Sequence, residues 1–371
     1  MLIGIPKEIK NYEFRVGMIP ATVRELTARN HTVFVETNAG AGIGFSDDDY
    51  RAVGADIQPD GQSVYKKAEM IVKVKEPQTE ERDYLNENHI LFTYLHLAAD
   101  KEQTAELISS NAVCIAYETV TSADGSLPLL APMSEVAGRM SVQAGASCLE
   151  KSKGGKGILL GGVPGVAPAR VVIIGGGVVG SNAAQIALGM GAKVAILDNN
   201  IATLRRLSTQ FGFRVECIYS NKAMLEKYVG SADLVIGSTL VPGAAATKLV
   251  TAEMIKTMQP GSVVVDVAID QGGCIETSRP TTHQDPCYTV SDVVHYCVTN
   301  IPGAVARTAS FALNNATLPY IISLAENGWR QALKNNPHFL NGLNICRGRV
   351  TNQAVAESLG YSYTRAESMI D

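Results

Sequence analysis

Apolar residues fall along this chain in two alternating rhythms. Short β-branched runs at 2–5, 32–36, 70–74, 90–97 and 112–118 read as strands. Between them apolar residues return every three or four positions, and this spacing predicts helices near 21–29 and 47–53. Alternation of this kind predicts a parallel sheet covered by helices on both faces. Asp100 and Gln103 have the spacing of a capping box for the helix after the strand at 90–97.

The rhythm changes after Gly125-Ser126-Leu127-Pro128, where a long helix rich in small residues is expected over 133–150. A Lys/Gly loop follows, and then a second alternating series with strands at 170–174, 193–197, 215–219, 232–237 and 262–267. Beyond Pro302-Gly303 the pattern is helical, over 318–326 and 329–334 with Gly328 between, and it predicts no further strand series. The economical organisation is α/β with two doubly wound domains, one inserted into the other. Residues 1–128 and 307–371 would form the discontinuous domain and 129–306 the inserted one. At 371 residues the chain exceeds one ordinary core, which agrees with two.

Composition narrows the partners. A net charge of -4 offers no basic footprint for nucleic acid or anionic membrane. No apolar run reaches the roughly 20 residues that span a bilayer, and the first residues lack a signal peptide's charged and apolar regions, so a cytoplasmic protein is expected. Seven cysteines without C-x-x-C spacing favour reduced thiols over a disulfide framework or zinc site. Glu118 is acidic and strand-terminal, but no partner ligands accompany it, and no metal is expected.

The most specific local pattern is Val171-Val172-Ile173-Ile174-Gly175-Gly176-Gly177-Val178-Val179-Gly180, followed by a helical stretch and a strand ending on Asp198. Strand, glycine turn, helix, strand and terminal acid appear in the order of a dinucleotide-binding unit. Gly175 suits the tight turn, Gly177 admits a pyrophosphate to the backbone, and Gly180 lets helix and strand pack closely. Asp198 would accept from ribose hydroxyls and repel a 2′-phosphate, which favours NAD over NADP. A ligand-free βα turn is the competing reading.

Polar residues at strand ends carry the remaining information, because ligands of open α/β sheets bind there. Arg15 offers a fork for a carboxylate. Lys75 follows a strand that Pro77 terminates, and His96 ends another. An imidazole there suits proton donation to a developing alkoxide. Asp270, in Ile269-Asp270-Gln271-Gly272-Gly273, ends a strand of the inserted domain. Each residue alone also fits a surface or structural role, and an Asx turn competes for Asp270. Asp266, inside that strand, reads as a satisfied structural carboxylate. Together Arg15, Lys75 and His96, three cationic or proton-carrying groups on strand ends of one domain, suggest a site for a small anionic carbonyl compound.

Several strings extend this picture: Gly4-Ile5-Pro6-Lys7-Glu8, Val74-Lys75-Glu76-Pro77, Tyr94-Leu95-His96-Leu97-Ala98, Pro132-Met133-Ser134-Glu135-Val136-Ala137-Gly138, Thr277-Ser278-Arg279-Pro280-Thr281-Thr282-His283 and Asn300-Ile301-Pro302-Gly303-Ala304-Val305. In combination with the glycine fingerprint and 266–273, they make the chain resemble the alanine dehydrogenase family over essentially its whole length. The resemblance implies a Rossmann NAD-binding domain inserted into a discontinuous substrate domain, and reversible NAD-dependent deamination of L-alanine to pyruvate and ammonium. It implies that Arg15 and Lys75 bind substrate and that His96 and Asp270 form the acid/base pair. On the cofactor side it implies contacts from Ser134, Val178, Val179, Asp198, Ser220, Thr239, Leu240, Val267, Ala268, Ile269, Asp270, Arg279, Val298, Thr299, Asn300 and Ile301. A homohexamer is the assembly it implies. The chain departs from the family at Thr203, where many members carry Lys or Arg near the adenosine ribose; Arg205 and Arg206 follow on the same expected helix. Two other readings are a non-catalytic NAD(H)-binding subunit of transhydrogenase type and a saccharopine-type amino-acid dehydrogenase.

Overall fold

The structure is a computed structural model, and it describes residues 1–239 and 247–370. Fifteen strands are assigned among the described residues: β1 (Leu2–Ile5), β2 (Thr32–Glu36), β3 (Asp56–Gln58), β4 (Met70–Val72), β5 (Ile90–Thr93), β6 (Val113–Ala116), β7 (Arg170–Ile174), β8 (Lys193–Asp198), β9 (Val215–Tyr219), β10 (Leu234–Gly237), β11 (Val263–Asp266), β12 (Cys287–Val290), β13 (Val293–Tyr296), β14 (Leu343–Cys346) and β15 (Arg349–Val350). The chain divides into two compact units, Met1–Met133 with Val305–Asp371, and Ser134–Ala304. Two parallel-dominated sheets, one in each, give the mixed α/β class.

The first unit holds one sheet in the order β15-β14-β6-β5-β4-β1-β2-β3. The strands from β6 to β3 run parallel, while β14 and β15 close one edge in antiparallel sense. Chain order reverses at β1, which lies between β2 and β4. Ligand crevices of open sheets form outside the carboxyl ends of strands at such a point. The core on one side of this sheet gathers Val64, Tyr65, Ile71, Leu91, Leu107, Cys114 and Ile345.

The second unit has the order β12-β13-β11-β10-β7-β8-β9, parallel except for β12. Its strands are apolar on both faces. Val171 and Ile173 enter one core cluster, and Val172 and Ile174 enter the other. That is the continuous hydrophobic run of a strand buried between two helix layers. Its switch point is β7, flanked by β8 and β10, and the glycine run begins where β7 ends.

Two expectations are corrected, for the tail and the Asp100 cap, and one hairpin is added. The tail does carry strands: β14 extends the first sheet although Asn344 interrupts its apolar pattern, because Asn344 Nδ2 donates to Thr119 Oγ1 (2.7 Å) and the Gly342 carbonyl (2.9 Å). The β12–β13 hairpin was hidden because its turn residues, Ser291 and Asp292, adopt positive φ (50° and 61°) without the glycine that usually announces such a turn. The capping box at Asp100 is only half made. Asp100 accepts from the Gln103 N–H (2.9 Å), but the Gln103 side chain donates instead to the Leu95 carbonyl (2.7 Å). The C-terminal helical stretch Ala306–Asn335 is broken at Gly328 (φ 71°, ψ 158°), as its glycine implied.

Candidate functional site

In the second unit, the residues expected to hold a dinucleotide lie one after another along the carboxyl ends of the strands. Gly175 has φ 100°, a conformation L side chains rarely adopt. A Cβ on Gly180 would come within 1.9 Å of the Gly175 carbonyl oxygen, so helix Val178–Gly189 can approach the turn only with glycine there. Gly177 differs, since a Cβ on it would meet nothing within 4 Å. Packing within the chain does not demand this glycine, whereas a ligand pressed against the backbone at a helix N-terminus does. Val178 and Val179 open that helix, with Val178 exposed. Helix Ala131–Cys148 lies against it, the Gly138 backbone meeting the Val179 carbonyl, and Ser134 is one turn earlier on that helix.

Asp198 ends β8. Its Oδ2 accepts from the Gly176 N–H (2.7 Å) and its Oδ1 from the Asn200 N–H (2.7 Å), so the carboxylate fastens the glycine turn to the start of the next helix. Ser220 follows β9 and donates its N–H to the Asp198 carbonyl (3.0 Å). Thr239 follows β10 beside Gly175, and it hydrogen-bonds the Cys274 thiol, opposing the rise in pKa that burial gives that thiol. Leu240 lies outside the described residues. After β11, Val267, Ala268, Ile269 and Asp270 form a 3₁₀ turn that ends on Gly272 in left-handed conformation, with Asp270 exposed. Arg279 stacks over the Tyr288 ring at 4.2 Å. Val298 bridges to Thr281, and His283 Nε2 meets the Asn300 carbonyl at 2.8 Å. Thr299 is exposed, and Ile301 begins the next 3₁₀ turn. The open cradle at Gly177 is what a bound dinucleotide would complete. Asp266 is a structural carboxylate, buried and accepting from the Cys274 and Ile275 N–H groups.

In the first unit, Arg15, Lys75 and His96 follow the carboxyl ends of β1, β4 and β5. Arg15 is buried. One edge of its guanidinium grips Glu13, with Nε to Oε1 at 2.6 Å and Nη2 to Oε2 at 2.5 Å, and Nη1 points to Met133 Sδ at 3.1 Å. Burial opposes its charge, but the bonds and charge of Glu13 outweigh that and raise its pKa. Lys75 is tilted the other way, its pKa lowered by burial and by the charges of Arg15 and Lys10, with Glu76 opposing.

A buried ion cluster sets the Lys75 backbone. Lys73 is fully buried, and its ammonium donates to Glu8 Oε2 (3.2 Å) and Glu81 Oε1 (2.6 Å). Glu8 Oε1 in turn accepts from the N–H groups of Val74 (2.7 Å) and Lys75 (3.2 Å). Both carboxylates hold Lys73 in its charged form despite burial.

His96 departs from its expected place on a strand. The strand β5 ends at Thr93, and His96 stands exposed on a left-handed turn (φ 51°, ψ 37°). Glu118 causes the departure by taking the N–H groups of Leu95 (3.1 Å) and His96 (2.6 Å) that a longer ladder would have used. Its Oε1 lies 3.9 Å from His96 Nδ1, and the imidazole stacks on Tyr94 at 5.9 Å between centroids. Glu118 is therefore spent on shaping this turn. Among the described residues no group of three His, Cys, Asp or Glu is placed to hold a metal ion. Glu8, Glu13 and Lys73 are the supporting residues that sequence reasoning missed, and Glu118, noted there only as a strand-end acid, proves to shape the His96 turn.

Similarity to known proteins extends along the whole chain. Residues 4–137 match the model of the alanine dehydrogenase/PNT N-terminal domain, and residues 141–353 match that of the C-terminal domain. Similar proteins include alanine dehydrogenases of Halomonas elongata (57% identical), Methanococcus maripaludis (55%) and Mycolicibacterium smegmatis (52%), each aligned over 100% of both chains. A solved L-alanine dehydrogenase superposes with a TM-score of 0.94 at 53% identity, covering 97% of this chain and 99% of that one. A transhydrogenase from Sinorhizobium meliloti, 23% identical with a TM-score of 0.81 over 95% of this chain and 100% of its own, shares the fold.

Proposed function

The chain belongs to the alanine dehydrogenase/PNT family, and on that premise we propose that it catalyses L-alanine + NAD⁺ + H₂O ⇌ pyruvate + NH₄⁺ + NADH + H⁺. End-to-end likeness to alanine dehydrogenases at 52–57% identity carries this reading and favours it over the transhydrogenase-type and saccharopine-type alternatives. NAD supplies the hydride acceptor, and in reverse NADH supplies the donor. Gly175, Gly177 and Gly180 are assigned to its pyrophosphate, Asp198 to the adenosine ribose, and the segments after β9, β10, β11 and β13 to the rest of the molecule.

Arg15, oriented by Glu13, is assigned to the substrate carboxylate, which a guanidinium fork fits in plane. Lys75 polarises the pyruvate carbonyl, its ammonium meeting negative charge as that oxygen develops it. Partial desolvation strengthens this interaction. His96 moves the protons. In deamination it takes a proton from the water that adds to the iminium carbon, then returns one to the departing nitrogen. Its half-exposed ring can exchange protons with solvent between these steps, which suits a group that must both accept and donate. Asp270 is assigned the hydrogen bond to the substrate nitrogen or hydroxyl.

Among the described residues no helix is long and apolar enough to cross a membrane. The proposal places the enzyme in the cytoplasm as a homohexamer, acting on small molecules, and light scattering at six times the chain mass would test the assembly. The reaction is tested by NADH oxidation with pyruvate plus ammonium, against glyoxylate plus ammonium and 2-oxoglutarate plus lysine. Pyruvate with ammonium should be fastest. A preference for 2-oxoglutarate with lysine would return the assignment to the saccharopine type.

A further inference from the structure

Two thiols of the second unit meet beside the edge of its sheet. Cys148 is the last residue of helix Ala131–Cys148, and Cys287 is the first of β12. Their Sγ atoms lie 3.4 Å apart, in hydrogen-bond contact, although 139 positions separate them along the chain. Cys148 is buried in the apolar core of the unit, and half-buried Cys287 packs against that core. The two sulfurs are not equivalent. The hydrogen bond from Cys148 lowers the pKa of Cys287, helped by the ammonium of Lys153 and opposed by burial and the charge of Asp285. The same bond, with burial and the charge of Cys287, raises the pKa of Cys148. Cys287 is therefore the sulfur that ionises, and the thiolate is the form that oxidants attack.

Cys287 also sits where a pull is transmitted. β12 is an edge strand that pairs with β13 alone, so it yields more easily than a helix end set in the core. The next residue, Tyr288, accepts the Arg279 N–H through its hydroxyl (2.7 Å), donates that hydroxyl to the Thr277 carbonyl (3.0 Å) and carries the Arg279 guanidinium over its ring. Arg279 is one of the residues assigned to the cofactor.

We propose that Cys148 and Cys287 are a redox modification site, closing to a reversible disulfide when a peroxide reaches the half-buried thiol, and that closure weakens nucleotide binding through Tyr288 and Arg279. The second half of the proposal rests on the NAD-binding assignment of Arg279. In the first step the Cys287 thiolate attacks one peroxide oxygen and the O–O bond breaks. The other oxygen takes up the proton that Cys287 released and leaves as water, and Cys287 becomes a sulfenic acid. Cys148 Sγ then attacks Cys287 Sγ, the S–O bond breaks, and the hydroxyl leaves as water with the Cys148 proton. Two thiols and one peroxide give one disulfide and two waters, the sulfurs losing the two electrons that the peroxide gains. Bonding brings the sulfurs about 1.3 Å closer than their present contact, and the edge strand supplies most of that movement.

The test uses the full-length protein as wild type, Cys287→Ser and Cys148→Ala, each first reduced and then treated with hydrogen peroxide. Peptide mass spectrometry without reductant should find Cys148 and Cys287 in one cross-linked pair, two hydrogens lighter than the separate thiols, in the wild type alone. In Cys148→Ala, dimedone should label Cys287 as the stranded sulfenic acid. NADH affinity, followed by nucleotide fluorescence, should fall about fivefold or more in the oxidised wild type and return with dithiothreitol, while treated Cys287→Ser should change less than about twofold. Absence of the cross-linked pair from the oxidised wild type, or of the dimedone label from Cys287, would overturn the proposal. A cross-linked protein with unchanged NADH affinity, or an equal loss of affinity in Cys287→Ser, would overturn the link to the cofactor. Failure of the reduced wild type to bind NADH would strike the cofactor assignment instead, and the peptide masses report the thiol pair separately from it.

Discussion

Replacing Lys73 with Met should make the stability of the first unit depend on pH in a calculable way. The substitution nearly preserves volume but leaves Glu8 and Glu81 buried without the ammonium that meets them at 3.2 and 2.6 Å. Two charged carboxylates cannot remain there unpaired, so at least one takes a proton in the folded state. Protonating a carboxyl of ordinary pKa about 4.3 at pH 7 costs about 1.36 × 2.7, or roughly 3.7 kcal/mol. That falls in the range of about 3–5 kcal/mol for breaking a buried ion pair from one side. The sign follows from linkage. A carboxyl whose folded pKa is raised binds a proton that the unfolded chain lacks above its own pKa, so the variant loses stability as pH rises. At pH 5 the penalty should fall to about 1 kcal/mol. Urea unfolding of wild type and variant at pH 5, 6 and 7 measures this difference. A loss under about 1 kcal/mol at pH 7, or one that is flat with pH, would refute the reasoning. Adding Glu8→Gln and Glu81→Gln should recover most of the loss, because the amides need no counter-ion and the new amide oxygen at position 8 still accepts from the Val74 and Lys75 N–H groups.

Three further outcomes follow from the site. Lys75 has a pKa lowered from 10.5, so pyruvate reduction should decline on the alkaline side below that value as the ammonium is lost; in Lys75→Arg, whatever rate survives should lack that limb, and an unchanged profile would assign the limb elsewhere. Gly177→Ala should leave thermal stability nearly unchanged, because its Cβ meets nothing, yet weaken NADH about tenfold or more; Gly180→Ala should lower the melting temperature, and normal NADH affinity in Gly177→Ala would deny the cradle. Asp270→Asn should bind NADH nearly normally while losing most of its reductive amination rate, and full turnover would remove Asp270 from the mechanism.

Much of this was legible in the residue pattern, for reasons particular to each element. The glycine turn announces itself because three steric demands fall on three fixed positions, and only one of them, at Gly177, is a demand made by a ligand. Lys75 could be found because Pro77 ends its strand. Lys73, two residues earlier, could not be. Its place in Val72-Lys73-Val74 reads as a solvent-facing residue of an alternating strand, and its burial is tolerable only because Glu8 and Glu81 arrive from elsewhere in the chain. Glu118 was visible as a strand-end acid, but its purpose depends on a turn that it creates itself by diverting the Leu95 and His96 N–H groups.

The central claim is that this chain moves a hydride between the nicotinamide and the Cα of alanine. Its most direct test is mass spectrometry of the product formed from NADH deuterated at nicotinamide C4, pyruvate and ammonium. The account predicts L-alanine one mass unit heavier from deuterium at one of the two C4 faces, with His96→Ala and Lys75→Ala forming little or none. Deuterated lactate in place of alanine, or alanine without deuterium from either face, would contradict it.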